Sequence, residues 1–76
     1  MTIDQFRKLN ETRQALALWE RGVKLASRDE PEFEVTLYQI DGFYVELYYN
    51  QKDKMFMRLR CFSNVNLLKP YLDEII

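Results

Sequence analysis

The chain has 76 residues, 47% of them hydrophobic and 30% charged, with 11 Lys and Arg against 12 Asp and Glu and no His. That makes one small domain, residues 1–76, too apolar to be disordered and too poor in Gly and Pro to be collagen-like or a linker. A domain of this size hides only about 60% of the surface its unfolded chain exposes, so the core is thin and self-association is expected from the outset.

Thr2 followed three residues later by Gln5 reads as a capping box and predicts a helix from Ile3 to Arg21. Phe6, Leu9, Leu16 and Trp19 form its apolar stripe, Ile3, Ala15 and Leu18 lie off it, and Gly22 stands where a left-handed C-cap is wanted. From Val23 the period changes to two, and eight of the eleven aromatic residues fall between there and Phe62. Turn signals at Asp29-Glu30-Pro31, Asp41-Gly42 and Asn50 to Lys54 divide the segment into strands Val23–Ser27, Glu32–Gln39, Phe43–Asn50 and Met55–Phe62.

The middle hairpin has two readings. A two-residue Asp41-Gly42 loop sets Phe33, Val35 and Leu37 on the face opposite Phe43, Val45 and Leu47. A three-residue loop, Ile40-Asp41-Gly42 with Gly42 left-handed in a bulge, puts all six on one face and is preferred. The core face is then Val23, Leu25, Phe33, Val35, Leu37, Phe43, Val45, Leu47, Tyr49, Met55, Met57, Leu59 and Cys61. In this register Leu25 opposes Phe33, Leu47 opposes Met57 and Val45 opposes Leu59. Lys24 likewise faces Glu34, and Glu46 faces Arg58. A last helix is signalled by Val65, Leu68, Leu72 and Ile75, with Ser63 or Asn64 as N-cap and Pro70 limiting its first turns. The fold expected is two-layer α+β, an antiparallel four-stranded meander with the N- and C-terminal helices on one face, α-β-β-β-β-α.

Net charge is +3 over residues 1–28, −6 over 29–50 and +2 over 51–76, a pattern that cross-strand pairing neutralises. The longest unbroken apolar stretch, Ala15 to Trp19, is far short of the roughly 20 residues that span a bilayer, and Met1 to Gln5 carry no basic leader pattern. The expectation is a cytoplasmic protein that uses no membrane.

Chemistry is hard to place on this chain. Cys61 stands alone and there is no His, which removes Cys/His metal clusters, Cys-His pairs and the commonest general base. Two isolated glycines build no phosphate loop, and Ser27 and Ser63 have no His to activate them. The carboxylate pairs Asp29-Glu30 and Asp73-Glu74 fall in polar positions with no cleft to raise a pKa. No catalytic, cofactor-binding or metal-ligating residue is therefore expected, and the chain reads as a non-enzyme without cofactors.

What remains is the outer sheet face, to which the preferred register assigns Tyr38, Tyr44, Tyr48, Phe56, Arg58 and Arg60. Tyr and Arg are enriched at the centres of protein interfaces, although tyrosines are also good strand formers that keep their hydroxyls in water. Two functions compete for this face. One is a protein-interaction surface, most simply of a homodimer. The other is single-stranded nucleic-acid binding, with bases stacked on the rings. The slight net negative charge and the central Glu34 and Glu46 argue against nucleic acid, while a small-molecule ligand is not specified by any motif.

The blocks Leu37-Tyr38-Gln39-Ile40-Asp41-Gly42-Phe43-Tyr44-Val45-Glu46 and Leu68-Lys69-Pro70-Tyr71-Leu72 resemble a group of short, uncharacterised bacterial proteins. That group shares an LYQxDGFYVE block, a basic last strand and a closing LxPYL segment. The likeness covers roughly the second half of the chain. It implies a cytosolic bacterial protein and carries no functional residues over.

Overall fold

A computed structural model describes residues 1–75, leaving aside the side chains of residues 56, 57 and 73–75. Helix α1 (Ile3–Arg7) and helix α2 (Glu11–Arg21) lead into strands β1 (Val23–Glu30), β2 (Phe33–Ile40), β3 (Phe43–Asn50) and β4 (Met55–Phe62). A 3₁₀ turn, Val65–Leu68, and helix α3 (Lys69–Ile75) follow. The strands form one antiparallel sheet in the order β1-β2-β3-β4, so the α+β class and the four-stranded meander are as expected. No helix among the described residues is long and apolar enough to cross a membrane.

The N-terminal capping box is present, with Thr2 Oγ1 accepting from the Gln5 amide at 3.1 Å and Gln5 Oε1 accepting from the Thr2 amide at 2.9 Å. The expected single helix is nevertheless two. Asn10 caps α2 by accepting from the Arg13 amide at 2.9 Å, and Gln14 Nε2 donates to the Phe6 carbonyl at 3.0 Å, closing the end of α1. The joint at Lys8–Asn10 resets the helical phase. Phe6 keeps its place in the core, but in α2 it is Ala17 and Leu18 that are buried, while Leu16 and Trp19 are exposed.

Gly22 ends α2 with φ −74°, not in the left-handed region. Space is what requires glycine here, since a Cβ would stand 2.6 Å from the Leu18 carbonyl oxygen.

The decisive correction concerns the middle hairpin. Ile40 pairs with Phe43, so the loop holds only Asp41 and Gly42, and it is Asp41 that is left-handed, at φ 51°. The two-residue loop splits the six residues that the longer loop would have gathered. Tyr38, Ile40, Phe43, Val45, Leu47, Leu59 and Cys61 share the front face; Val35, Leu37, Tyr44, Glu46, Tyr48, Arg58, Arg60 and Phe62 share the back.

The neighbouring registers move accordingly. Leu47 opposes Leu59, Val45 opposes Cys61, Glu46 opposes Arg60 and Tyr48 opposes Arg58, while Met57 is an extra backbone residue on β4. On β1, Lys24 opposes Tyr38, Glu34 opposes Asp29, Phe33 opposes Glu30, and Leu25 is extra. Strand β1 thus runs through Asp29-Glu30, and its turn to β2 is Pro31-Glu32.

Both faces are covered, by different helices. Phe6, Ala17 and Leu18 pack on Ile40, Phe43 and Val45 in front, with the Phe6 and Phe43 rings 5.4 Å apart. Tyr71 of α3 packs on Leu37 and Phe62 behind, with Ala26, Tyr44 and Leu68 around them. The terminal helices therefore lie on opposite faces of the sheet rather than on one, and the architecture has three layers. Of the residues assigned to a single core face, Val23, Leu25 and Met55 are exposed. The side chains of Met57 and Ile75 lie outside the described residues.

Asp41 also tethers the helical layer, through the Met1 amino group at 2.7 Å and Arg21 at 3.6 Å. The hydrogen bond from the amino group, with the nearby Arg21 charge, holds the Asp41 carboxyl below the usual carboxylate range.

Glu32 takes the left-handed conformation at φ 73° straight after Pro31, a position that turns of this shape reserve for glycine. Glu32→Gly should relieve roughly 1 kcal/mol of backbone strain, offset in part by chain entropy. Thermal unfolding followed by circular dichroism should show a midpoint a few degrees higher, and Glu32→Val should lower it.

Candidate functional site

The back face carries a buried charge cluster that the sequence reading did not anticipate. Glu46, in the middle of β3, is only 3% exposed. Three groups converge on it. Tyr71 Oη of α3 donates to Glu46 Oε2 at 2.6 Å, Arg28 Nη2 of β1 donates to the same oxygen at 3.3 Å, and Arg60 Nη1 of β4 stands 3.8 Å from Oε1. Arg28 also bonds Glu30 through Nη1 and lies over the Tyr71 ring, 5.4 Å from its centroid. Two carboxylates and two guanidinium groups thus cancel, which is what lets a carboxylate remain in so dry a place.

These contacts shift the titrations of the cluster. Burial, and then the hydrogen bond to Glu46, hold the Tyr71 hydroxyl well above the ordinary phenol range, so it stays a donor. Burial works against the charge on Arg28, but its contacts with Tyr71 and Glu30 outweigh that and keep it firmly protonated. The cluster is structural in character. Helix α3 is too short to be stable by itself, and Tyr71 is the side chain that ties it down.

Of the six residues expected on one outer surface, Tyr44, Tyr48, Arg58 and Arg60 share the back face, and neither of these tyrosines offers a free ring. Tyr48 is buried, with the Arg58 guanidinium 4.4 Å above its centroid. Tyr44 is half-buried and stacks on Phe62 at 5.6 Å, and Arg60 lies over Phe62 at 6.0 Å. Tyr38 is on the opposite, front face, packed beside the helix layer. The Phe56 side chain lies outside the described residues.

The open surface is elsewhere. Helices α1 and α2 cover only the end of the front face near the Asp41-Gly42 turn, and beside α2 runs a groove of about 520 Å³. Ala15, Leu18, Trp19, Tyr38, Leu47 and Leu59 give it an apolar lining. Trp19 is 87% exposed at its rim. A ring of that size left in water is the opposite of what burial favours. Sequence reasoning missed it because the helix was read as unbroken. The Asn10 N-cap was the available signal, since restarting the phase there turns Trp19 outward.

Among the described residues, no three His, Cys, Asp or Glu side chains come together as metal ligands would. Cys61 is half-buried against the front core. No family model, curated protein or solved structure matches the chain.

Removing the hydroxyl that Glu46 accepts from should cost about 1.5–3 kcal/mol, the range for hydrogen bonds to charged groups. Tyr71→Phe is expected to lower the urea midpoint by the corresponding amount. The raised Tyr71 pKa adds a pH dependence of known sign. In the unfolded chain the phenol ionises near about 10 and in the folded chain later, so its contribution is intact below that pH and is lost as pH rises beyond it. The wild-type protein should therefore lose stability more steeply than Tyr71→Phe between roughly pH 10 and 11, in urea titrations at each pH.

Proposed function

We propose that the protein is a non-enzymatic protein-interaction module that self-associates through the open half of its front face. The observation that carries this reading is Trp19, 87% exposed beside a groove lined by apolar side chains. Tryptophan is foremost among the residues that dominate interface energetics, and contiguous apolar surface of this kind marks contact sites. The thin core of a 76-residue domain supplies the reason to associate.

Face-to-face contact is favoured over strand addition at the sheet edges. Both edge strands are bulged, β1 at Leu25 and β4 at Met57, and β4 carries Arg58 and Arg60 next to its bulge. Bulges and charges are the usual devices that prevent pairing at an edge. The nucleic-acid alternative fares worse. Of the rings on which bases would stack, Tyr48 lies under Arg58 and Tyr44 is already stacked on Phe62, while Arg60 is engaged by Glu46.

Sedimentation equilibrium across micromolar to millimolar concentrations tests the reading. The mass should rise from the 9.3 kDa of one chain toward twice that value. A single-chain mass at every concentration would refute it.

A further inference from the structure

We infer that two copies meet about a twofold axis and exchange Trp19, each indole seated in the other copy's groove. This rests on the self-association reading and specifies its geometry. Trp19 stands on the rim of the groove rather than in it, since a ring 87% exposed fills none of the space its own chain provides. The same chain thus bears both a projecting indole and an apolar receptacle. A groove of about 520 Å³ lies within the usual range of binding cavities and can take a ring of that size.

Charge at the ends of the groove names the occupant. Glu11 opens α2 and Lys24 follows just past its C-terminal end, so the two sit at opposite ends of the same groove. Both are exposed, and neither has an ion-pair partner among the described residues. A twofold axis through the middle sets Glu11 of each copy against Lys24 of the other, giving two reciprocal pairs. Such self-complementarity is what a closed isologous dimer requires, and an apolar small molecule would have no use for it.

Trp19 is the chain's sole tryptophan, so its emission reports its surroundings directly. Mass and emission should be followed together as concentration rises. The expected result is a shift of emission to shorter wavelength that tracks dimer formation. Trp19→Ala should raise the dimer dissociation constant by about thirtyfold or more, the effect of losing one interface hot spot. It should leave circular dichroism unchanged, because the exposed ring supports nothing in its own core.

Ala15→Arg, at an exposed helical position on the groove wall, should also give a single-chain mass, with emission that no longer depends on concentration. Val65→Ala, at an exposed position beyond the opposite face, should leave both readings as in the wild type. A dimer whose tryptophan emission never moves overturns the exchange while self-association stands. A single-chain mass throughout overturns both. An emission shift on adding decanoate, with the mass still that of one chain, would give the groove to a small apolar ligand and overturn the exchange as well.

Discussion

The two-residue turn at Asp41-Gly42 is the constraint on which the rest of the molecule depends. Because Ile40 pairs directly with Phe43, apolar side chains at even and odd positions of β2 and β3 are divided between two faces, and neither face can be left to solvent. Ile40, Phe43 and Val45 require the cover of α1 and α2; Leu37 and Phe62 require that of α3. One more residue in the turn would have brought Val35 and Leu37 to the side of Phe43 and Val45 and taken Leu37 away from the C-terminal helix that packs on it. The placement of both helical layers thus follows from the length of a single loop.

Much of this was legible in the residues. The capping box at Thr2 and Gln5, the four strand centres, the turn before Met55 and the Asn64 cap are all local signals that survive the tertiary arrangement, whereas the first turn falls at Pro31-Glu32, with Asp29 and Glu30 still in β1. Register was not legible, because it depends on which of two turns the chain adopts, and Asp-Gly is compatible with both. Alternation also misleads when a sheet is buried on both sides. Tyr44-Val45-Glu46-Leu47-Tyr48 reads as one apolar face and one wet face, yet Glu46 and Tyr48 on the supposedly wet side are buried. The missing information lay beyond the end of β3, in Tyr48's future neighbour Arg58 and, farther on, in Tyr71, which supplies the cover.

The candidate surface shows the same division between local and distant information. Tyr44, Tyr48, Arg58 and Arg60 do share a face, but there the arginines lie on the rings instead of presenting them, and Glu46 draws Arg28 and Arg60 inward. Polar and aromatic groups that look like an interface in sequence are here the inner lining of a helix docking site. The groove in front depends on the break at Asn10, a single cap that moves Leu18 into the core and Trp19 out of it. Back and front thus differ in kind: the back face is saturated by its own chain, and the front is left with unused apolar capacity.

The irregular outer strands carry a consequence for growth. Each boundary of the sheet is interrupted by an extra residue, at Leu25 on one side and Met57 on the other, so no copy can template a continuous ladder with the next. Broken borders of this kind oppose edge-to-edge stacking, the route by which a chain rich in strand-forming aromatics would propagate into fibres as it accumulates.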